Sequence, residues 1–145
     1  MTAWFWIEKF NSKMRNAIFT IALLILAINA SSQITVSDED EILRSRVDSA
    51  LSIIEASDTS RYNFLLENCD KIDFSDYASP VCLSNGAMII PIEMINRSSV
   101  NEIAGIIVNQ SMHLFFINYM IEMDKLLEDI TCSAYEIDFL LRLEQ

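Results

Sequence analysis

Two glycines and two prolines in 145 residues leave few places for positive φ or for breaking a helix, so long coil regions and disorder are not expected. There is no glycine-rich phosphate loop and no GxSxG elbow. Three cysteines, Cys69, Cys82 and Cys132, form no CxxC pair, which excludes a thioredoxin-like site or a cysteine-rich structural zinc. Histidine occurs once, as His113. Basic residues are scarce beyond the N-terminus: residues 31–145 hold 7 against 20 acidic side chains, a net −13. A surface that acidic repels phosphate backbones, so nucleic acid is excluded as a partner, while a basic protein partner is compatible.

The first thirty residues differ from the rest. They carry Lys9, Lys13 and Arg15 against Glu8, and Ala17 to Ala30 is apolar without a charge. Basic residues ahead of an apolar run keep the N-terminus in the cytoplasm and send the rest across the membrane. Fourteen helical residues span about 21 Å, short of the roughly 30 Å hydrocarbon layer. Residues 1–36 therefore read as a signal peptide, cut after Ala30 or Ser32, or as a signal-anchor. The aromatic cluster Trp4, Phe5, Trp6 and Phe10 suits a membrane interface and favours the anchor, with Ser31 to Val36 extending the helix. Residues 37–145 are then a small acidic domain on the exoplasmic side.

Within that domain, Ser37 followed by four acids reads as a helix start. Leu43, Val47, Leu51 and Ile54 recur at helical spacing to about Ala56. Tyr62 to Leu66 opens a second short helix. Lys71 to Phe74 and Ala87 to Ile92 read as strands, the latter marked as an edge by Pro91, with a turn at Ser84-Asn85-Gly86. Ser99-Val100-Asn101-Glu102 is a capping box that starts an apolar helix running to about Met123. A last helix spans about Asp124 to Leu143, with Leu126, Ile130, Ala134, Ile137 and Leu141 on one stripe. The predicted class is α+β: an N-terminal membrane helix, an amphipathic helix, a small sheet and a C-terminal antiparallel helix pair. Packing the segment around Cys82 on the last helix would let Cys82 and Cys132 bridge in an exported domain, leaving Cys69 free.

The polar residues Asn109, Gln110 and His113 stand out in the apolar helix, because a buried polar group needs a partner. Asn109 and His113, one turn apart, share a face, and Gly105 one turn earlier would let another backbone approach. The window Asn109 to His113 has the spacing of HExxH, in which two histidines hold zinc and a glutamate acts as base. The stretch Ile103 to Phe116 resembles the active-site helix of a family of small bacterial putative zinc metallopeptidases, whose second helix carries an acid, a cysteine and a glutamate. Here Asp129, Cys132 and Glu136 follow in that order, and Ile72, Tyr77 and Cys82 fall at the family's strand and cysteine segment. The resemblance covers residues 62–143 and implies a minimal zincin-like core.

Asn109 occupies the place of the first histidine ligand and Gln110 that of the catalytic base. Asp129 matches the third-ligand position, with Glu128 beside it. An amide oxygen is a poor zinc ligand, and an amide cannot take a proton from water near neutral pH. The resemblance thus implies a vestigial site of Asn109, Gln110, His113 and Asp129, with no catalytic residue, metal or cofactor. The reading is a membrane-associated, catalytically inactive peptidase relative kept as a binding or structural module. The alternative is an acidic interaction protein of immunity or inhibitor type, unrelated to peptidases. In either case Asn109, Gln110 and His113 would form a polar network with Asp129 or Glu136. The topology is testable by reporter fusion at Ser60: a reporter that works only outside the cytoplasm should be active. Activity solely from a cytoplasmic reporter would refute the assignment.

Overall fold

In the computed structural model the described residues are 33–37 and 40–144. The expected N-terminal membrane helix lies outside them, and among the described residues no helix is long and apolar enough to cross a membrane. The domain is α+β, with five helices and a four-stranded sheet.

Residues 33–145 form one compact unit. Thr35–Val36 forms β1, a parallel edge strand beside β2 (Lys71–Ser75), rather than extending the apolar segment. Its side chain Val36 is buried in the core along with Ile34. Ser37 stays with this strand, its amide donating to the Ile72 carbonyl, so it does not cap the first helix. Asp40 does: its Oδ1 accepts from the amides of Ile42 and Leu43 at 2.9 and 3.1 Å, opening α1 (Glu41–Ser57). The expected face of Leu43, Val47, Leu51 and Ile54 is buried, joined by Ala50.

Asp58 closes α1 and opens α2 (Thr59–Asn68). Its amide donates to the Ile54 carbonyl and its Oδ1 accepts from the Arg61 amide. The Arg61 side chain is only 7% exposed. It donates to Asp58 Oδ2 and to Asp138 Oδ2 of the last helix, both at 2.5 Å, and lies 4.5 Å over the Tyr135 ring. A buried guanidinium held by two carboxylates thus ties α2 to the end of the chain.

The sheet order is β1-β2-β4-β3, with β3 at Val81–Cys82 and β4 at Ala87–Pro91. β1, β2 and β4 are parallel, and β3 is antiparallel to β4. β4 is therefore internal, not an edge. Pro91 is tolerated because it ends the strand opposite Ser75, past the Met88–Ile89 pairing with β3. Gly86, at φ +76°, makes the turn into β4, and a Cβ there would meet Asp70 Oδ2 at 2.7 Å.

A short helix α3 (Ile92–Arg97) leads to the predicted capping box: Ser99 Oγ accepts from the Glu102 amide, and Glu102 Oε2 from the Ser99 amide. The helix it opens, α4, ends at Asn118, not near Met123. Ile121 N–H donates to the Phe116 carbonyl and Met120 N–H to that of Ile117, a Schellman ending with Met120 at φ +50°. A methionine at the place usually taken by glycine gives no sequence signal for this stop.

The last helix, α5, spans Lys125–Leu143. Its buried face is Cys132 and Phe139, flanked by half-buried Tyr135, Leu140 and Leu143. The aliphatic stripe read from the sequence is exposed: Leu126 at 69%, Ile137 at 55% and Leu141 at 56%. α5 has two apolar faces, and the aromatic one packs on the domain, because Tyr135 and Phe139 offer more area to bury.

Burial pushes the Asp58 carboxyl up, but hydrogen bonds from Ser60 and from the Arg61 amide and side chain prevail and hold it below its ordinary value. A carboxyl with a depressed folded pKa contributes stability above its unfolded pKa of about 3.9 and loses it as pH falls through the folded value. Asp58→Ala should cost about 3 kcal/mol, by removing a cap and leaving a buried guanidinium short of a partner. Urea unfolding at neutral pH measures the loss. Repeated below about pH 4, it should show a shallower acid-induced drop in the variant than in the natural chain.

Candidate functional site

Along α4 every residue that departs from the apolar pattern between Ile103 and Phe116 finds a partner. Ser111, buried, donates to the Val108 carbonyl in its own helix. The other three polar side chains are met by neighbouring elements. Asn109 Nδ2 donates to Glu136 Oε2 of α5 at 3.1 Å, while its Oδ1 accepts from Gln110 Nε2 at 2.9 Å. Gln110 Oε1 in turn accepts from the Cys82 thiol of β3 at 3.3 Å. The four groups form a directed chain, Cys82 to Gln110 to Asn109 to Glu136, that ends on a carboxylate able to accept without donating. One turn further along, His113 Nδ1 lies 2.6 Å from Glu128 Oε1.

α5 supplies both carboxylates because it runs antiparallel to α4, so that residues later in α4 meet residues earlier in α5. Gly105 sets the approach: a Cβ there would come within 3.1 Å of Leu140 Cδ2 and 3.3 Å of Glu136 Oε1. The missing side chain is the space into which the side chains of Leu140 and Glu136 fit, where the sequence had suggested the approach of another backbone.

Three of the four residues singled out from sequence, Asn109, Gln110 and His113, thus lie on the α4 surface that faces α5 and β3. The fourth does not join them. Asp129 is half-exposed and pairs with Lys125 on its own helix at 3.4 Å. Successive helical residues point about 100° apart, so Glu128 and Asp129 cannot both face α4, and Glu128 is the one that does. Among the described residues no three His, Cys, Asp or Glu side chains are grouped to hold a metal ion. A surface cavity of about 510 Å³ opens beside Asn68, Asn85 and Asn118, away from Asn109 and His113.

The segment around Cys82 packs on α4 rather than on α5, and the three cysteines are free. The expected Cys82–Cys132 bridge is not formed, since the Cys82 sulfur is turned to Gln110. Burial pushes all three thiols up to about 12. The contact between Cys82 and Gln110 and the reach of Arg61 to Asp138 gave no sequence signal, because neither pair shares an element. The one hint was a cation, Arg61, beside the apolar run from Tyr62 to Leu66.

Compared with models of protein families, with curated proteins and with solved structures, the chain matches none of them.

Thiols with so little thiolate should not react with iodoacetamide in the folded chain near pH 8. Unfolding without reductant should release three reactive thiols. A count of one after unfolding would reveal a bridge and overturn the hydrogen-bonded role of Cys82.

Proposed function

We propose that this chain is a membrane-associated, catalytically inactive relative of small zinc peptidases, kept as a binding or structural module. The domain sits on the exoplasmic side behind a cytoplasmic N-terminus and takes no metal or cofactor. The observation that carries this reading is the hydrogen-bonded chain through Gln110 and Asn109. At the two places where the resembling family puts a ligand and a base, this protein has amides, and their hydrogen-bonding atoms are engaged with Cys82, Glu136 and each other. A water-activating base must have a free lone pair near a reacting water, and a zinc ligand must present one to the metal. Amides committed as structural cross-links do neither. The surviving His113 is braced by Glu128 in the manner of a carboxylate that orients an imidazole.

The alternative, an acidic interaction protein unrelated to peptidases, is favoured by the exposed apolar stripe of α5 and the net −13 of the domain. Zinc titration separates the two. Asn109→His with Gln110→Glu recreates His-Glu-x-x-His on α4, with Glu136 or Glu128 in reach as third ligand. On the peptidase-derived reading this variant binds about one zinc per chain, while the natural protein binds little. Adding Glu136→Gln or Glu128→Gln identifies the third ligand. Activity need not return, since about 1 Å of misplacement costs roughly 100-fold. A folded double variant that binds zinc no better than the natural chain would remove the peptidase ancestry and leave the interaction protein.

A further inference from the structure

The exposed stripe of α5 consists of Leu126, Ile130, Ala134, Ile137 and Leu141, bordered by Leu127. At 100° per residue the five fall within about 80° of arc, and they extend about 22 Å along the helix. Cys132 and Phe139, which face the core, lie on the opposite side. Ile130 is 56% exposed and Leu127 53%. Together the large side chains present on the order of 500 Å², a patch of the size that marks an interaction surface on a small domain.

We propose that this face is where a second copy of the chain docks, with the two α5 helices packed antiparallel about a twofold axis. The order of residues carries the inference. About a midpoint between Ser133 and Ala134, the helix reads alike in both directions: Lys125 matches Arg142, Leu126 matches Leu141, Asp129 matches Asp138 and Ile130 matches Ile137. An antiparallel twofold pair places each residue opposite its counterpart in the other copy, and such an interface must be self-complementary. Here leucine meets leucine at both ends and isoleucine meets isoleucine inside them. The two smallest residues of the stripe region, Ser133 and Ala134, fall at the crossing, where small side chains let helices approach to about 8 Å. A partner of another sequence would have no need of this symmetry.

The area agrees. About 500 Å² from each copy gives roughly 1,000 Å² in the pair, the lower end of a specific interface, consistent with a reversible dimer. The charges beside the stripe are neutralised within each helix, as Lys125 pairs with Asp129 at 3.4 Å and Arg142 with Asp138 at 3.0 Å. The remaining charge of the two acidic domains is repulsive, so added salt should strengthen the pair. A lipid surface is a poorer occupant, since amphipathic helices that lie on membranes carry basic rather than acidic polar faces.

Sedimentation of the full chain in a mild detergent tests this. The natural chain should run as a dimer at micromolar concentration, more completely at about 0.3 M salt than at about 0.05 M. Ile130→Glu with Ile137→Glu should shift it to monomer with unchanged circular dichroism and unfolding. The same pair of changes leaves the N-terminal segment intact, so a dimer that persists in the variant overturns the proposal. Single cysteines read the geometry and disturb an exposed helix face little. Under mild oxidation Ser133→Cys should cross-link to itself. Leu126→Cys should not, but should cross-link when mixed with Leu141→Cys. A natural chain that stays monomeric at all concentrations, or a Leu126→Cys that links to itself as readily as Ser133→Cys, refutes the antiparallel pair. So does a monomer that binds zwitterionic vesicles through this stripe.

Discussion

The helix α4 has no polar face to give to solvent, and the rest of the domain is arranged to meet that constraint. Ile103, Ala104, Ile107, Val108 and Leu114 are fully or almost fully buried over about 140° of arc, and Gly105 and Phe116 carry the buried surface beyond it. A helix apolar around its circumference is stable in water only if it is covered on every side. α1 covers it with Val47, Ala50 and Ile54, the sheet adds Met88 and Ile90, and α2 and α5 close the remaining sides. Phe64 of α2 stacks near Phe115 of α4 and Tyr135 of α5, so the three helices share one aromatic contact. Arg61 then fastens α2 to α5 from the outside through Asp138.

Covering such a helix creates a problem wherever it carries a polar group. Asn109, Gln110 and His113 would each cost free energy if left unpaired between packed elements. The covering elements supply the partners: Glu136 and Glu128 from α5 and the Cys82 thiol from β3. The polar cluster therefore also fixes register. Sliding α5 along α4 by one turn would separate both carboxylates from their partners at once and would move Leu140 off the space left by Gly105. These residues pin one helix to another.

The same wrapping accounts for the two faces of α5. Its apolar residues outnumber what α4 can bury, and the side with Tyr135 and Phe139 turns inward. The aliphatic side is left outside, where its near-palindromic order gives it a use between copies. Sequence periodicity recognised α5 as a helix and found the aliphatic stripe, but periodicity measures how residues cluster around an axis, not which cluster meets the core.

Much of the domain was legible before any coordinates. The helical spacing from Leu43 to Ile54, the capping box at Ser99, the strand at Lys71 to Phe74 and the turn at Gly86 are local signals, and local backbone preferences and side-chain periods are properties of the chain itself. The need of Asn109, Gln110 and His113 for partners was equally a matter of residue type. What the tertiary structure decided was every pairing between distant segments. It placed β4 inside the sheet despite Pro91 and drew Thr35 and Val36 into an edge strand. It stopped α4 at Asn118 with Met120 rather than a glycine in the left-handed position, turned Glu128 rather than Asp129 toward His113, and gave the Cys82 thiol to Gln110 instead of Cys132. Each of these depends on which of two nearly equivalent faces or neighbours wins, and that is settled by the total area and hydrogen bonding of the packed whole, which no window of sequence contains.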